Sequence, residues 1–264
     1  MMLAAVSLWR REVVRFLRDR SRVFGSLVQP LLFWVLLAAA LGSEATSFKA
    51  GDVDLEKVGY GEYLVAGVLA MIVMFTSIFS TITVIEDRRE GFLQGVLIAP
   101  VPRAAIALGK IAGGVTLALL NSMIFLCLAP LVGVPLTLSG AAFSILALVT
   151  ISFGLVGLGF TLAWRMESTA GYHGIMMVFL MPMWMLSGAL FPVQSAHPVL
   201  AFIMELNPLT YGVATLRHTM HGADAAALGL PSPVLAWGVT IGFGLGMFLL
   251  ATWITTRRRA ADSR

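Results

Sequence analysis

Charge is what this chain lacks. Lys and Arg number 18 and Asp and Glu 14 in 264 residues, so only 12% of positions are charged. Soluble domains carry about 25%. Most of the chain therefore cannot face water. Cysteine is almost missing as well: Cys127 stands alone in an apolar run, which excludes a disulfide framework within one chain. No Gly-x-x-x-x-Gly-Lys is followed by Ser or Thr, so the chain has no phosphate loop with which to hydrolyse ATP. Gly-x-Ser-x-Gly and zinc-ligand spacings are missing too, and no repeat or low-complexity tract is visible. The net charge of +4 is too segregated to read as a nucleic-acid surface.

What is present is long uncharged sequence. Residues 23–43, 63–85, 111–164, 168–204 and 225–256 carry no charge. A helix needs about 20 apolar residues to cross a bilayer core. The run 111–164 is long enough for two crossings, and Pro130, Gly133, Pro135, Ser139 and Gly140 supply a turn in its middle. The expectation is an all-α polytopic membrane protein with six transmembrane helices, at 23–42, 62–85, 106–131, 141–164, 172–190 and 234–255. Barrel strands would be shorter and alternating. Ala38-Ala39-Ala40 resembles a signal cleavage site, but the run before it is longer than a usual signal core, so the first span is read as retained.

Lys and Arg set the orientation. With six spans both termini share one side, and that side carries 15 of the 18 basic residues; the other has Lys49, Lys57 and Arg217. The positive-inside rule makes both termini cytoplasmic, in an inner or plasma membrane. Residues 1–22 read as an amphipathic interfacial helix. Val6, Trp9, Val13, Phe16 and Leu17 face one way, toward lipid, and Arg11, Arg15, Arg18 and Arg22 the other. Asp52 and Asp54 lie in a Gly-containing outer loop with no further ligand set and read as solvated. Residues 191–232 are too apolar for an ordinary outer loop. They read as a re-entrant helical hairpin broken at Asn207-Pro208, with Tyr211 beyond the break. His218 and His221, three apart, make at best a weak metal pair, and no metal site is expected.

The last four expected spans carry no Asp, Glu, Lys or Arg except Lys110 near an end. Proton- or sodium-driven carriers need ionisable or unwound polar groups near the midplane. Energy for any pumping must then come from outside the membrane. The charged island Glu86-Asp87-Arg88-Arg89-Glu90-Gly91 offers an entry point. Glu86, Asp87 and Glu90 are read at the start of a short helix, with Phe92, Leu93, Val96 and Leu97 as an apolar stripe and Pro100 and Pro102 as stops. Such a ridge can seat in a groove on a soluble partner.

The stretch from Glu90 to Arg103, followed by Gly109-Lys110, resembles the first cytoplasmic loop of ABC-2 type transporter permeases, the membrane subunits of type V ABC exporters. Leu206-Asn207-Pro208-Leu209-Thr210-Tyr211-Gly212 with Leu216-Arg217, and Ser187-Gly188-Ala189-Leu190-Phe191-Pro192, are similar to two further stretches of that family. The resemblance covers the whole chain and is nearest to drug, antibiotic-resistance, Nod-factor and polysaccharide exporters. Phe92 and Gln94 depart from many relatives, which have a small hydroxyl residue and Glu there; this blurs the subfamily.

The resemblance implies a permease working as a dimer, read as a homodimer, with two copies of a separate ABC ATPase that holds the ATP and magnesium. This chain would hold no cofactor, bind membrane lipids and bind no nucleic acid. Residues 86–103 would be the cytosolic coupling segment, with Glu86, Asp87, Arg88, Arg89, Glu90, Gly91, Phe92, Leu93, Val96, Leu97, Pro100 and Arg103 contacting the ATPase. Spans two and five would flank the substrate path, where Met71, Met74, Phe75, Phe79, Met177, Phe179, Met181 and Trp184 offer an adaptable apolar wall. Their plainer role is packing or facing lipid. The expected function is export of a drug, lipid or glycolipid. The alternative is an ATPase-coupled mechanotransmission or scaffold subunit that transports nothing. An intramembrane enzyme lacks a nucleophile–base pair.

Overall fold

The computed structural model describes residues 2–41, 60–99, 101–134, 136–222, 225 and 228–257. Pro100, Asp52, Asp54, Lys49, Lys57 and the arginines after Arg257 lie outside the described residues. Among the described residues the chain is all helical, without strands. The helices are α1 (Met2–Arg18), α2 (Arg20–Leu41), α3 (Tyr60–Arg89), α4 (Phe92–Ile98), α5 (Arg103–Leu126), α6 (Leu138–Ala163), α7 (Thr169–Trp184), α8 (Pro198–Leu206), α9 (Pro208–His221) and α10 (Pro233–Arg257).

Five helical stretches are long and apolar enough to cross a membrane: Tyr60–Arg89, Arg103–Leu131, Leu138–Ala163, Thr169–Ala189 and Pro233–Thr256. The bent pair α8 and α9 would make a sixth if it counts as one span. In α2, expected as the first span, the described apolar portion is the shorter Val23–Leu36.

The centre of the bundle is α3, which packs against α2, α4, α5, α6, α7 and α9. Its side chains from Tyr63 to Ile78 are all buried. A helix apolar all round belongs inside. Two of its hydroxyls bond back into the helix: Ser77 donates to Val73 O at 2.7 Å and Thr81 to Ser77 O at 2.5 Å. One polar link crosses three helices. Asn121 of α5 donates to Ser26 of α2 at 2.9 Å and to Thr76 of α3 at 3.0 Å. The outer surface stays apolar, with Phe24, Leu32, Phe143, Val178, Leu245 and Leu249 exposed, as a lipid-facing surface requires.

α1 lies on α5. Its buried face is Ala5, Leu8, Glu12 and Phe16, spaced three and four apart. Gly109 and Gly113 of α5 allow the approach: a Cβ on Gly109 would stand 2.8 Å from the Ala5 carbonyl, and one on Gly113 would stand 2.7 Å from Glu12 Cβ. Val6 and Leu17 remain exposed. The face that packs shares only Phe16 with the one periodicity put toward lipid.

The fifth expected span is not straight. α7 ends at Trp184 and passes through a wide turn, Met185–Ala189, in which Gly188 has φ +74°. Pro182 has no N–H to donate, and only glycine takes a left-handed conformation without strain. α8 and α9 then meet at Asn207 with an 83° bend.

Candidate functional site

The island is built differently from the expectation. Glu86 and Asp87 do not open a short helix; α3 runs through them to Arg89. Nothing before Glu86 breaks a helix. Gly91, at φ +77°, does, and α4 starts at Phe92. The carboxylates thus sit at the negative end of the helix dipole, where they need cations nearby.

Those cations come from two other helices. Arg11 of α1 donates to Asp87 through both terminal nitrogens, at 2.7 and 2.8 Å. Arg15 donates to Asp87 at 2.7 Å, to Glu86 at 3.0 Å and to Glu90 at 3.1 Å. Lys110 of α5 donates to Asp87 and, at 2.6 Å, to Glu12. Glu12 also accepts from Thr83 at 2.7 Å. Asp87, Glu12 and Lys110 are buried. The hydrogen bond to Asp87, helped by the charges of Asp87, Glu12 and Glu90, holds the Arg11 guanidinium above its ordinary value despite partial burial. α1, α3 and α5 are in this way tied at one end of the bundle. Arg11 and Arg15 do not project away from the bundle as the helix pattern suggested; they turn inward to carboxylates more than 70 residues away.

The same end of α3 holds the connection between α6 and α7. Arg88 donates to the carbonyls of Trp164 and, at 3.1 Å, Met166, and its guanidinium lies 5.6 Å from the Trp164 ring. Arg89 Nε donates to Glu167 O at 2.9 Å.

α4 also differs from its reading. Leu93 is buried, and Phe92, Val96 and Leu97 are half-buried against the chain's own core. Arg11 sits 3.6 Å over the Phe92 ring. The apolar stripe is turned inward because the body of the bundle supplies the groove. The surface left open is Glu90, Gln94, Gly95, Ile98 and Ala99, with Ile98 85% exposed. Arg103 begins α5 and donates to Leu97 O at 3.4 Å.

Met71, Met74, Phe75 and Trp184 are fully buried inside the chain and do not line an open surface. The Trp184 indole donates to Gly67 O at 2.8 Å, and its ring lies 5.3 Å edge-on from Phe33 of α2. Phe79, Met177 and Met181 are half-buried, and Phe179 is exposed.

At the opposite end of α3 a second polar cluster satisfies the backbone freed by the break after α7. Asn207 caps α9 by accepting from Leu209 N at 3.0 Å. Its amide nitrogen donates to Met183 O at 2.5 Å and Leu186 O at 3.0 Å. Pro208 fills the first helical position, where a missing N–H costs nothing. Tyr211 donates to Glu205 O at 2.9 Å. Gly188 O accepts from Tyr63 at 2.7 Å and from Arg217 at 2.8 Å. Tyr63 and the burial of Arg217 are absent from the sequence reading, which treated Arg217 as a topology charge and part of a familiar stretch.

Among the described residues the two polar clusters consist of ion pairs and of bonds to backbone carbonyls. The molecule is a helical body, charged and tied at one end and sharply bent between α8 and α9 at the other. The chain is 28% identical over 250 residues to Nodulation protein J of Rhizobium meliloti (strain 1021), covering 93% of this chain and 92% of that protein. Against Nodulation protein J of Rhizobium leguminosarum bv. viciae it is 26% identical, covering 96% and 94%. Against the inner membrane transport permease YadH of Escherichia coli (strain K12) it is 24% identical, covering 99% and 98%. The family model of the ABC-2 type transporter matches residues 4–221, and the chain belongs to that family.

Proposed function

We propose that this chain is the membrane permease subunit of an ATP-driven exporter, moved by a separate ATPase. The carrying observation is the cluster around Asp87. It joins α1, α3 and α5 at the end of the bundle where α4 presents Gln94, Gly95 and Ile98 outward. A partner that displaces α4 moves α3 with it. The chain has no phosphate loop, so nucleotide and magnesium belong to the partner. The names of the relatives, Nodulation protein J and inner membrane transport permease, support a transport role.

In this reading the Asp87 end and both termini face the cytoplasm, α1 lies along the membrane surface, and two copies of the chain pair with two ATPase copies. The substrate is hydrophobic or amphipathic, a drug, lipid or glycolipid. Of the expected wall, the half-buried Phe79, Met177 and Met181 and the exposed Phe179 are left to meet it. The test is co-expression with an ATPase chain from the same source, followed by purification and transport into sealed vesicles. A stoichiometric complex that moves an amphiphile is the expected result. A complex that hydrolyses ATP but transports nothing would favour the mechanotransmission reading. A chain that never captures an ATPase would sink both.

A further inference from the structure

Among the described residues, four Lys, Arg, Asp or Glu side chains are buried: Glu12, Asp87, Lys110 and Arg217. The first three are paired with one another and with the partly exposed Arg11 and Arg15. Arg217 makes no ion pair among the described residues. Its terminal nitrogen Nη2 donates to Gly188 O at 2.8 Å and more weakly to Tyr63 O at 3.4 Å, and its guanidinium lies 3.7 Å over the Tyr63 ring. Its Nε is buried with no acceptor. A guanidinium has five donors in a planar fork suited to two anionic oxygens. Carbonyl dipoles and an aromatic face hold the cation in place but do not neutralise it.

This group opens on a cavity of about 390 Å³ between α3, the turn after α7 and α9. The cavity has a mixed wall. Tyr63 and Tyr211 border it, and their hydroxyls already donate to Gly188 O and Glu205 O. Leu228, Leu230 and Leu235 make an apolar side. Glu205 also lines it, exposed. That carboxylate repels a multiply charged anion more than a singly charged one.

We infer that this cavity binds one singly charged oxygen group, a carboxylate or phosphodiester, carried by an amphiphile. The oxygens meet the unused donors of Arg217, and the first carbons of the tail lie on the leucine side. The site is at the end of α3 opposite Asp87 and is separate from the cluster there. The chemistry fits either a resident phospholipid or an exported amphiphile. The inference does not rest on the export reading, because binding is measured on the permease alone.

The experiment uses the full chain in a neutral maltoside detergent. Binding of lysophosphatidylglycerol, a neutral monoacylglycerol and inorganic phosphate is compared by native mass spectrometry and by thermal shift. The charged lipid should bind at least tenfold tighter than either of the others. Arg217→Gln should remove that preference, and Arg217→Lys should restore part of it. Leu230 makes none of the Arg217 hydrogen bonds, so Leu230→Trp, which fills the cavity, should abolish binding while leaving the unliganded melting temperature near wild type. Equal binding of monoacylglycerol, or of inorganic phosphate, would overturn the inference. So would unchanged lysophosphatidylglycerol binding in Leu230→Trp, even if Arg217→Gln fails to fold. To separate the sources, lipid co-purifying with the protein is extracted: bound phospholipid points to a resident lipid, and an empty site filled by added amphiphile points to cargo.

Discussion

Asp87, near the end of α3, takes both terminal nitrogens of Arg11 on α1, a partner 76 residues earlier in the chain. It also holds Arg15 and Lys110. Removing a buried carboxylate leaves its cations behind without compensation. Asp87→Ala is expected to cost about 3–5 kcal/mol, because Lys110 stays buried. Arg11→Ala removes a partly exposed partner while Arg15 and Lys110 remain, and should cost about 1 kcal/mol or less. Denaturation midpoints of the solubilised protein check this. Equal losses for the two variants would show that Asp87 is not the hub.

The seat of α1 on α5 depends on two glycines. A Cβ at Gly109 would meet the Ala5 carbonyl at 2.8 Å, backbone that cannot rotate away. Gly109→Val should lower stability by about 1–3 kcal/mol through overpacking. It should also lift α1, so that trypsin cuts at Arg11 and Arg15 faster than in the wild type. Unchanged cleavage would mean that the ion pairs alone hold the helix.

α4 separates two roles on one short helix. Leu93 is 2% exposed and Ile98 85%. Leu93→Asp should unfold the bundle end and lower the melting temperature. Ile98→Asp should leave stability within about 0.5 kcal/mol, as surface substitutions do, yet weaken capture of the ATPase in a pull-down. Full capture by Ile98→Asp would move the docking surface elsewhere.

Asn207 closes the bend between α8 and α9. Asn207→Ala loses a cap worth about 1 kcal/mol. It also leaves the Met183 and Leu186 carbonyls short of a donor, at about 1–3 kcal/mol in a buried site. Pro208→Ala removes no hydrogen bond and should cost far less. Thermal denaturation of the two variants side by side decides it.

The spans were legible because lipid imposes a simple rule, and charge-free runs obey it. Residues 63–85 fall inside α3 for that reason alone, and the expected span 141–164 overruns α6 by one residue. The partners of Asp87 were not legible. Arg11 and Lys110 lie 76 and 23 residues from it, and no local pattern states which helices share an end. The one hint was Glu12, a lone carboxylate among the arginines of α1. The facing of α4 was missed for a related reason: an apolar stripe tells that something covers it, not whether the cover is the chain itself. Pro182 and Gly188 both stand in the fifth expected span, but apolar length alone hides the break they make.

The continuity of α3 and the interruption after α7 have a shared mechanical meaning. An unbroken helix of 30 residues is a strut about 45 Å long, fixed at one tip by Asp87 and bearing Tyr63 at the other. Its neighbour has an elbow at Gly188, and that elbow is pinned to the strut through the Gly188 carbonyl and the Tyr63 hydroxyl. In the proposed export reading, a push at the ionic tip is carried to the far tip by the straight path, and the elbow is where the second path bends. One unbroken helix, α3, joins the ionic end of this molecule to the end that holds the elbow.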